Sequence, residues 1–320
     1  MMSVLESSSP PRRVTSASAR SPFAEKTAEA EALKTLLAES GAFSRMMLTA
    51  EERVAMETDF GWDTQSLLRN LVEQVKTCAV PPISSFYVGV AGLGETGNVY
   101  FGCNLEFLGE RIGATIHGEQ FMLANAFFRK ESRIVMFAVN AAPCGHCRQF
   151  INELPLASDI RVLIGPDVNE TFEKILPFAF GPADLGSSKH FLDAFDHRLA
   201  LQDTSLNSDP LVQAALEAAQ RAYSPYTRSP SGVALLCKGK VVCGSYVENA
   251  AYNPSLPPMQ AALVSLRASG VTEFNQIERA IVVECKSAPL HQKHSSRELL
   301  AVVAPDATFD CVYAILSGHA

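Results

Sequence analysis

The chain of 320 residues is long enough for two domains, each with a hydrophobic core of its own. Hydrophobic residues make up 47% and charged residues 19%, a composition typical of soluble globular proteins rather than of disordered or fibrous ones. No segment approaches the roughly 20 apolar residues of a membrane-spanning helix. The net charge of −7 disfavours binding to a nucleic-acid backbone.

The N-terminal segment, residues 1–22, is rich in Ser, Pro and Arg and has no hydrophobic run of the kind found in secretory signals. We therefore expect a disordered tail on a cytoplasmic protein. Organelle transit peptides are also Ser- and Arg-rich, so the sequence leaves organelle targeting open. Residues 23–80 follow a helical pattern, with a capping box at Thr49–Glu52 and a helix from Asp63 to Cys78, and they predict a small helical domain.

Residues 81–165 change to an alternation of strands and helices. The predicted elements are a strand over 86–91, a turn over 92–97, a strand over 99–103, a helix over 117–128, a strand over 133–140, a helix after Pro143 and a strand over 160–164. This order predicts an α/β core built in layers.

Residues 166–209 contain several Pro and Gly residues and are predicted to be a linker. Residues 210–320 then repeat the pattern of the first core. The matching pairs are Pro82–Ala91 with Pro225–Ala234, Asn98–Asn104 with Lys240–Tyr246, and Glu119–Leu123 with Met259–Leu263. The repeat predicts a second α/β core of the same kind.

Eight cysteines in a chain of this length do not suggest a disulfide framework, but Cys144 and Cys147 form a C-x-x-C pair, which points to metal or redox chemistry. A catalytic zinc takes three protein ligands from such residue types and leaves one position to water. His117 completes this set. Both groups lie at predicted helix starts, where backbone N–H groups stabilise thiolates. We predict one zinc ion held by His117, Cys144 and Cys147.

Glu119 lies two residues after His117, too close along the chain to join it comfortably at one metal. It can reach the water that zinc activates, and it is predicted to be the proton shuttle. His146, inside the C-x-x-C pair, is predicted to lie beside the site rather than to be a fourth ligand. A lone C-x-x-C pair also fits a redox motif, but the two motifs in this order form the H-x-E…P-C-x-x-C signature of zinc deaminases.

The chain resembles the cytidine deaminases from about Phe43 to its C-terminus, in particular the dimeric class whose subunit has a helical domain, a catalytic core and a degenerate second core. The phrases that carry the resemblance are Pro143–Phe150, Phe180–Pro182, Ser229–Ala234, Glu248–Ala251 and Leu256–Pro258. The resemblance implies an α/β fold with a three-layer α/β/α core present twice. It also implies hydrolysis of the 4-amino group of cytidine and deoxycytidine, in pyrimidine salvage.

The resemblance further implies the substrate-binding residues. Asn104 and Glu106 match the pair that hydrogen-bonds the ribose 3′-hydroxyl, and Phe86 matches an aromatic that packs on the pyrimidine ring. The backbone of Gly118, where the family usually has Ala, matches a contact to the base carbonyl. Phe180 matches an aromatic that reaches across a homodimer to close the neighbouring active site. Packing within their own core is the alternative for both phenylalanines.

The second core carries no such set of ligands. The positions aligned with His117, Glu119 and Cys144 hold Pro257, Met259 and the Pro289–Leu290 pair. His291 and His294 lie nearby without other ligand types at useful spacing and are predicted to be surface residues. We therefore expect one zinc per chain, with the second core as a scaffold.

Three other functions fit part of this pattern. A polynucleotide cytosine deaminase, which edits RNA or DNA, shares the metal motif, but the acidic charge and a pair that requires a free 3′-hydroxyl argue against nucleic acid as a partner. A deoxycytidylate deaminase needs cationic contacts to phosphate, and no segment supplies an obvious set. A catalytically silent binding protein is disfavoured by the intact motif of the first core.

Overall fold

The computed structural model describes residues 27–316, so the tail predicted over residues 1–22 lies outside the described residues. The elements of the first half are α1 (Thr27–Glu39), α2 (Ala42–Arg45), β1 (Met47–Leu48), α3 (Ala50–Phe60), α4 (Thr64–Val75), β2 (Gly89–Gly94), β3 (Val99–Cys103), α5 (Gly118–Phe128), β4 (Ile134–Val139), α6 (Gly145–Ile151), β5 (Arg161–Ile164), β6 (Val168–Thr171) and α7 (Phe172–Ile175). Those of the second half are β7 (Leu199–Leu201), α8 (Pro210–Gln220), β8 (Ser231–Cys237), β9 (Lys240–Ser245), α9 (Pro258–Arg267), β10 (Ile277–Cys285), α10 (Lys293–Val303) and β11 (Thr308–Leu316). None of the helices between residues 27 and 316 combines the length and the apolar character needed to cross a lipid bilayer.

The predicted helices near the N-terminus are confirmed. The hydroxyl of Thr49 accepts from the backbone N–H of Glu52 at 3.3 Å, and the Glu52 carboxylate accepts from the N–H of Thr49 at 2.8 Å, which is the predicted capping box at the start of α3. Asp63 caps α4, whose apolar residues Leu67 and Leu71 are fully buried. Helix α4 packs on β2 and β4 and forms one outer layer of the first core.

Two mixed sheets form the centre of the molecule, with strand orders β1-β3-β2-β4-β5-β6 and β7-β11-β10-β8-β9. Each contains an antiparallel hairpin (β2–β3 or β8–β9), a strand antiparallel to it (β4 or β10) and a further strand parallel to that one (β5 or β11). Helices α4 and α8 cover one face of their sheets and α5 and α9 the other, and α5 packs against α9. The predicted α/β fold, with a three-layer α/β/α core present twice, is confirmed.

Glycines allow the same close approach of helix and sheet in both cores. A Cβ added to Gly102 on β3 would lie 2.1 Å from the carbonyl oxygen of Gly118 on α5. One added to Gly244 on β9 would lie 2.0 Å from the backbone nitrogen of Ala262 on α9. A larger side chain at either position would push the helix off the sheet. In the first core, this contact fixes the start of α5.

The strand predicted over residues 86–91 lies three residues further along, as β2. The side chain of Asn104 accepts from the N–H of Val88 at 2.9 Å and donates to the carbonyl of Phe86 at 2.8 Å. The side chain of Asn140 likewise accepts from the N–H of Gly89 and donates to the carbonyl of Tyr87, each at 2.9 Å. These amide side chains take the place of a neighbouring strand, so residues 86–88 are held by hydrogen bonds but stand outside the sheet.

The turn predicted over residues 92–97 is also displaced, because β2 and β3 are joined by residues 95–98. Gly92 lies inside β2, where an added Cβ would be 2.5 Å from the sulfur of Met122 on α5. Glycine at this position therefore reflects close packing and not a turn.

The segment predicted as a linker, residues 166–209, contributes a strand to each sheet. Strand β6 pairs antiparallel with β5 at the edge of the first sheet, and β7 pairs antiparallel with β11 at the edge of the second. The two strands have four and three residues, too few to show an alternating pattern among the neighbouring Pro and Gly residues. The connection between the sheets therefore runs only from residue 172 to residue 198.

A buried carboxylate holds the start of α10 in the second core. Glu284, near the end of β10, accepts from the backbone N–H groups of Gln292 at 2.7 Å and Lys293 at 3.2 Å. Its other oxygen lies 3.0 Å from Nδ1 of His291. A carboxylate at the first N–H groups of a helix satisfies donors that would otherwise lack a partner and stabilises the helix.

Helix α10 corresponds in the repeat to α6, whose N-cap residue is Cys144. The N-cap residue of α10 is Gln292, so this residue and not the Pro289–Leu290 pair occupies the position of Cys144. The alignment from sequence was wrong here because the connection before α10, residues 286–292, is longer than the one before α6, residues 140–144.

Candidate active site

Two helix starts bring the predicted metal ligands together. His117 is the N-cap residue of α5, Cys144 is the N-cap residue of α6, and Cys147 lies in the first turn of α6. Among residues 27–316, no other group of three or more His, Cys, Asp or Glu residues has all of its ligand atoms within 4.8 Å of one another. The ligands are far apart in sequence and adjacent in space because β4 returns the chain from the end of α5 to the start of α6.

The spacing of these atoms fits zinc. The two sulfurs of Cys144 and Cys147 are 3.6 Å apart, and Nδ1 of His117 lies 3.6 Å from the first and 3.4 Å from the second. With Zn–S of about 2.3 Å and Zn–N of about 2.0 Å, one face of a tetrahedron has edges of about 3.5–3.8 Å. One nitrogen and two sulfurs are also the donor types that zinc prefers.

The pKa values of the two thiols and of Glu119 also indicate a site for a cation. Hydrogen bonds from Cys147 and His117 lower the pKa of the Cys144 thiol to about 3. The hydrogen bond to Cys144, together with burial, raises the pKa of Cys147 well above its usual range. Burial raises the pKa of Glu119 as well. A divalent cation at the centre of the three ligand atoms would allow both sulfurs to ionise together.

Glu119 lies in the first turn of α5 and is 4% exposed. Its Oε2 is 3.1 Å from the sulfur of Cys147, so the carboxyl group borders the ligand cluster without joining it. The ring of His146 stacks on that of His117 with centroids 4.9 Å apart. Among the described residues His146 is outside the ligand cluster, in agreement with its predicted place beside the site.

A cavity of about 260 Å³ opens onto the ligands. It is lined by Ser84, Phe86, Val88, Asn104, Glu106, Thr115, His117, Gly118, Glu119, Ala141, Ala142, Cys144 and Cys147. Eight of the nine predicted site residues therefore border one cavity, since only Phe180 is missing from those described as lining it. The half-exposed ring of Phe86 stands at its wall.

Asn104 and Glu106 hold the loop that forms one wall of the cavity. The Glu106 carboxylate accepts from the N–H groups of Ile83 and Ser84, each at 2.9 Å, and from the hydroxyl of Ser84. Partial burial raises the pKa of Glu106, but the hydrogen bonds together outweigh it and hold the pKa below its usual value. A carboxylate offers about four acceptor positions, so one remains for a hydroxyl of a ligand. Asn104, which bonds the backbone of Phe86 and Val88, keeps one amide hydrogen.

Phe180 lies near the far end of α6, in the connection between the sheets. Its carbonyl accepts from the side chains of Gln149 at 2.6 Å and Asn152 at 3.0 Å, while its side chain is 47% exposed. The backbone is thus fixed, while the ring is only partly covered by its own chain. The neighbouring ring of Phe178 is fully exposed.

Several residues that shape the site were not predicted from the sequence. Ser84, Thr115 and the Ala141–Ala142 pair line the cavity, and Asn140 pins the segment beside Phe86. Asn140 had a signal in the sequence, because a polar residue directly after a buried strand often makes side-chain hydrogen bonds to nearby backbone. The small alanines had none.

Two segments, residues 62–162 and 172–297, match models described as the cytidine and deoxycytidylate deaminase zinc-binding region. A cytidine deaminase of Photorhabdus laumondii subsp. laumondii is 42% identical over 258 residues, or 80% of this chain and 86% of the relative. One of Citrobacter koseri is 43% identical over 247 residues, or 77% and 82%. A crystal structure of cytidine deaminase from Mycobacterium tuberculosis is 29% identical, with a TM-score of 0.35, and covers 37% of this chain and 98% of that chain.

A duplicated α/β core with a His-Cys-Cys cluster beside a buried glutamate defines a protein of the zinc-dependent deaminase class. The identity to curated relatives over most of their length is more specific. The chain belongs to the cytidine deaminase family.

We expect purified protein to contain close to one zinc per chain. Both halves match a zinc-binding region, but Pro257 and Met259 stand at the second-core positions of His117 and Glu119, and His291 and His294 are exposed. Elemental analysis after dialysis against zinc-free buffer measures the ratio. A value close to two would contradict a scaffold role for the second core.

Proposed function

We propose that this chain hydrolyses the 4-amino group of cytidine and deoxycytidine, giving uridine or deoxyuridine and ammonia, a reaction of pyrimidine salvage. The observation that carries the proposal is the cavity in which the ligand cluster, Glu119, Asn104 and Glu106 meet. Family membership supports the same substrate class, since both curated relatives are cytidine deaminases. The predicted cytoplasmic location remains a prediction.

The chemistry divides between the metal and the protein. When bound by His117, Cys144 and Cys147, zinc supplies a Lewis acid that lowers the pKa of water. Glu119 accepts a proton from the attacking water while the water oxygen bonds to C4, and it delivers this proton to N3. It then carries the proton of the new C4 hydroxyl to the amino group, so that the C4–N bond breaks and ammonia leaves. Burial of Glu119 excludes bulk water from these transfers.

The remaining cavity residues hold the nucleoside. Glu106 accepts from the ribose 3′-hydroxyl with the acceptor position that its loop contacts leave free, and Asn104 donates its remaining amide hydrogen. Phe86 packs on the pyrimidine ring, and the backbone of Gly118 contacts the base carbonyl. Both groups line the same cavity as the ligands.

Activity on cytidine should exceed activity on an internal cytosine of single-stranded RNA or DNA by about a thousandfold in kcat/KM, because Glu106 would face a 3′-phosphate as a like charge, at a cost of several kcal/mol. A 5′-monophosphate should also react poorly, since none of the described residues lining the cavity is Lys or Arg. Comparing cytidine, its 5′-monophosphate and an oligonucleotide tests both points. Oligonucleotide turnover near the cytidine rate would favour a polynucleotide deaminase instead.

We further propose a homodimer in which each chain supplies Phe180 to the cavity of its partner. The fixed backbone and half-exposed ring support this arrangement, as does the place of Phe180 outside its own cavity among the described residues. An apolar ring held in this way gains stability when a second surface covers it.

A mixing experiment tests the trans arrangement. Phe180→Ala and Glu119→Ala should each be nearly inactive as homodimers. In a mixed dimer, the chain that keeps Glu119 receives an intact Phe180, so random pairing restores about one site in four. Phe178→Ala is the matched control. The Phe178 ring is fully exposed, so its removal is expected to leave activity unchanged. Mixed dimers that form but recover no activity would show that Phe180 acts within its own subunit.

A further inference from the structure

A fully buried carboxylate beyond the end of α6 joins the two cores. Glu153 accepts hydrogen bonds from the hydroxyls of Tyr223 at 2.7 Å and Tyr226 at 2.6 Å, and from the backbone N–H of Ala250 at 2.7 Å. All three donors belong to the second core. The second core therefore supplies the hydrogen bonds that compensate for the burial of this carboxylate. Glu153, the two tyrosines and the N–H of Ala250 are called the Glu153 clamp below.

The adjoining loop of the second core contacts both ligand-bearing helices. The side chain of Asn249 donates to the carbonyl of Gln149 on α6 at 2.9 Å. The carbonyl of Pro254 accepts from the side chain of Gln120 on α5 at 3.2 Å, and the same side chain accepts from the N–H of His117 at 3.3 Å. The loop is therefore hydrogen-bonded to α6 and, through Gln120, to the start of α5.

The second core holds Tyr226 with a loop that corresponds to the cavity loop of the first core. Glu248 accepts from the N–H groups of Tyr226 at 2.9 Å and Thr227 at 3.1 Å, and from the Thr227 hydroxyl. Glu106 holds the equivalent loop of the first core by the same pattern, which includes Ser84. In the first core this loop forms a wall of the cavity. In the second core it presents the Tyr226 hydroxyl to Glu153.

We propose that the second core is a positioning element for the metal site, acting through the Glu153 clamp, with Glu153, Tyr226 and Glu248 as positioning residues. The proposal rests on the proposed function, because the position of α6 matters through the sulfurs of Cys144 and Cys147. Helix α6 has only seven residues, so a displacement at its end reaches its start. At 1.5 Å per residue, the end of α6 at Ile151, two residues before Glu153, lies about 6 Å along the helix axis from Cys147.

Two conservative variants test the clamp from the second core. Tyr226→Phe removes one donor to Glu153 and keeps the ring. Glu248→Gln weakens the loop that places Tyr226. Tyr313→Phe is the matched control, because it also removes a hydroxyl of the second core. Tyr313 lies on β11, and its hydroxyl contacts Lys293 at 3.0 Å and not Glu153.

The first measurement is the rate at which zinc passes from the loaded protein to a chromogenic chelator. We expect this rate to rise about tenfold for both variants and to stay at the wild-type value for the control, since supporting residues typically change metal affinity by about 10–100-fold. The second is kcat and KM on cytidine, at a temperature well below unfolding. We expect kcat to fall about tenfold with KM within about twofold, because small displacements of reacting groups are costly.

A merely structural contact would lower the melting temperature and leave zinc release and kcat at wild-type values, and that outcome would overturn the proposal. The double variant Glu153→Gln with Tyr226→Phe should be no worse than Glu153→Gln alone, because both act on one unit. Additive effects would count equally against it. A wild-type protein without activity on cytidine would refute the proposed function, whereas the zinc-release rates would still decide whether the clamp exists.

Discussion

Replacing Glu119 by glutamine should leave a folded, zinc-loaded protein that has lost nearly all turnover. Glutamine has the same shape and can hydrogen-bond, but it cannot take up and release a proton. Loss of general acid–base catalysis typically costs roughly 10²–10⁴-fold in rate. The ligands His117, Cys144 and Cys147 are unchanged in Glu119→Gln, so the zinc content should stay close to that of the wild type. Steady-state kinetics on cytidine and elemental analysis of the same sample measure the two expectations.

Glu131→Gln is the matched control for this variant. Glu131 is just as buried and accepts from the hydroxyl of Tyr100 at 3.0 Å. It lies shortly after the end of α5, whereas the ligand His117 caps the start of that helix. Its replacement should leave kcat near the wild-type value. If Glu119→Gln keeps a tenth or more of the wild-type kcat, another group moves the protons.

Replacing Cys147 by alanine should abolish both zinc binding and activity. Only two protein ligands remain, and a catalytic zinc site ordinarily has three. Part of the binding free energy of the metal is folding free energy, so the variant should also melt at a lower temperature than the zinc-loaded wild type. Elemental analysis, a thermal melt and an assay on cytidine measure the three effects.

The control for the cysteine is Cys243→Ala. Cys243 is a half-buried thiol on β9 of the second core, and the same change there removes no ligand. It should retain about one zinc per chain and full activity. A Cys147→Ala protein that still holds close to one zinc would show that the metal is bound elsewhere.

The ligand cluster could be predicted from sequence because its chemistry is local. Zinc selects His and Cys, and the order of elements places both motifs at helix starts. The helix of Glu119 was predicted nearly to the residue, because the largely apolar runs of β3 and β4 leave a segment of helical length between them. The repeat could be predicted because short phrases of the first core recur in the same order in the second.

Features that depend on contacts between distant segments could not be predicted. Phe86 was placed in a strand because its neighbours are apolar, and only the amides of Asn104 and Asn140 show otherwise. Glu153 gave no signal, since a glutamate after a short helix is ordinarily exposed, and its donors lie some 70 or more residues further along the chain. Gln292 was missed because loop length changes between the two copies.

The carboxylate of Glu284 at the start of α10 gives the two halves of the chain different dependences on their surroundings. In the first half, the helix that follows the fourth strand is tied to the fold by a metal that must be acquired from solution. In the second half, the corresponding helix is tied by the Glu284 side chain, which is part of the polypeptide itself. Metal scarcity therefore removes a direct tie from the first half and none from the second. The second half keeps its own tie at the start of α10 whether or not zinc is bound to the first.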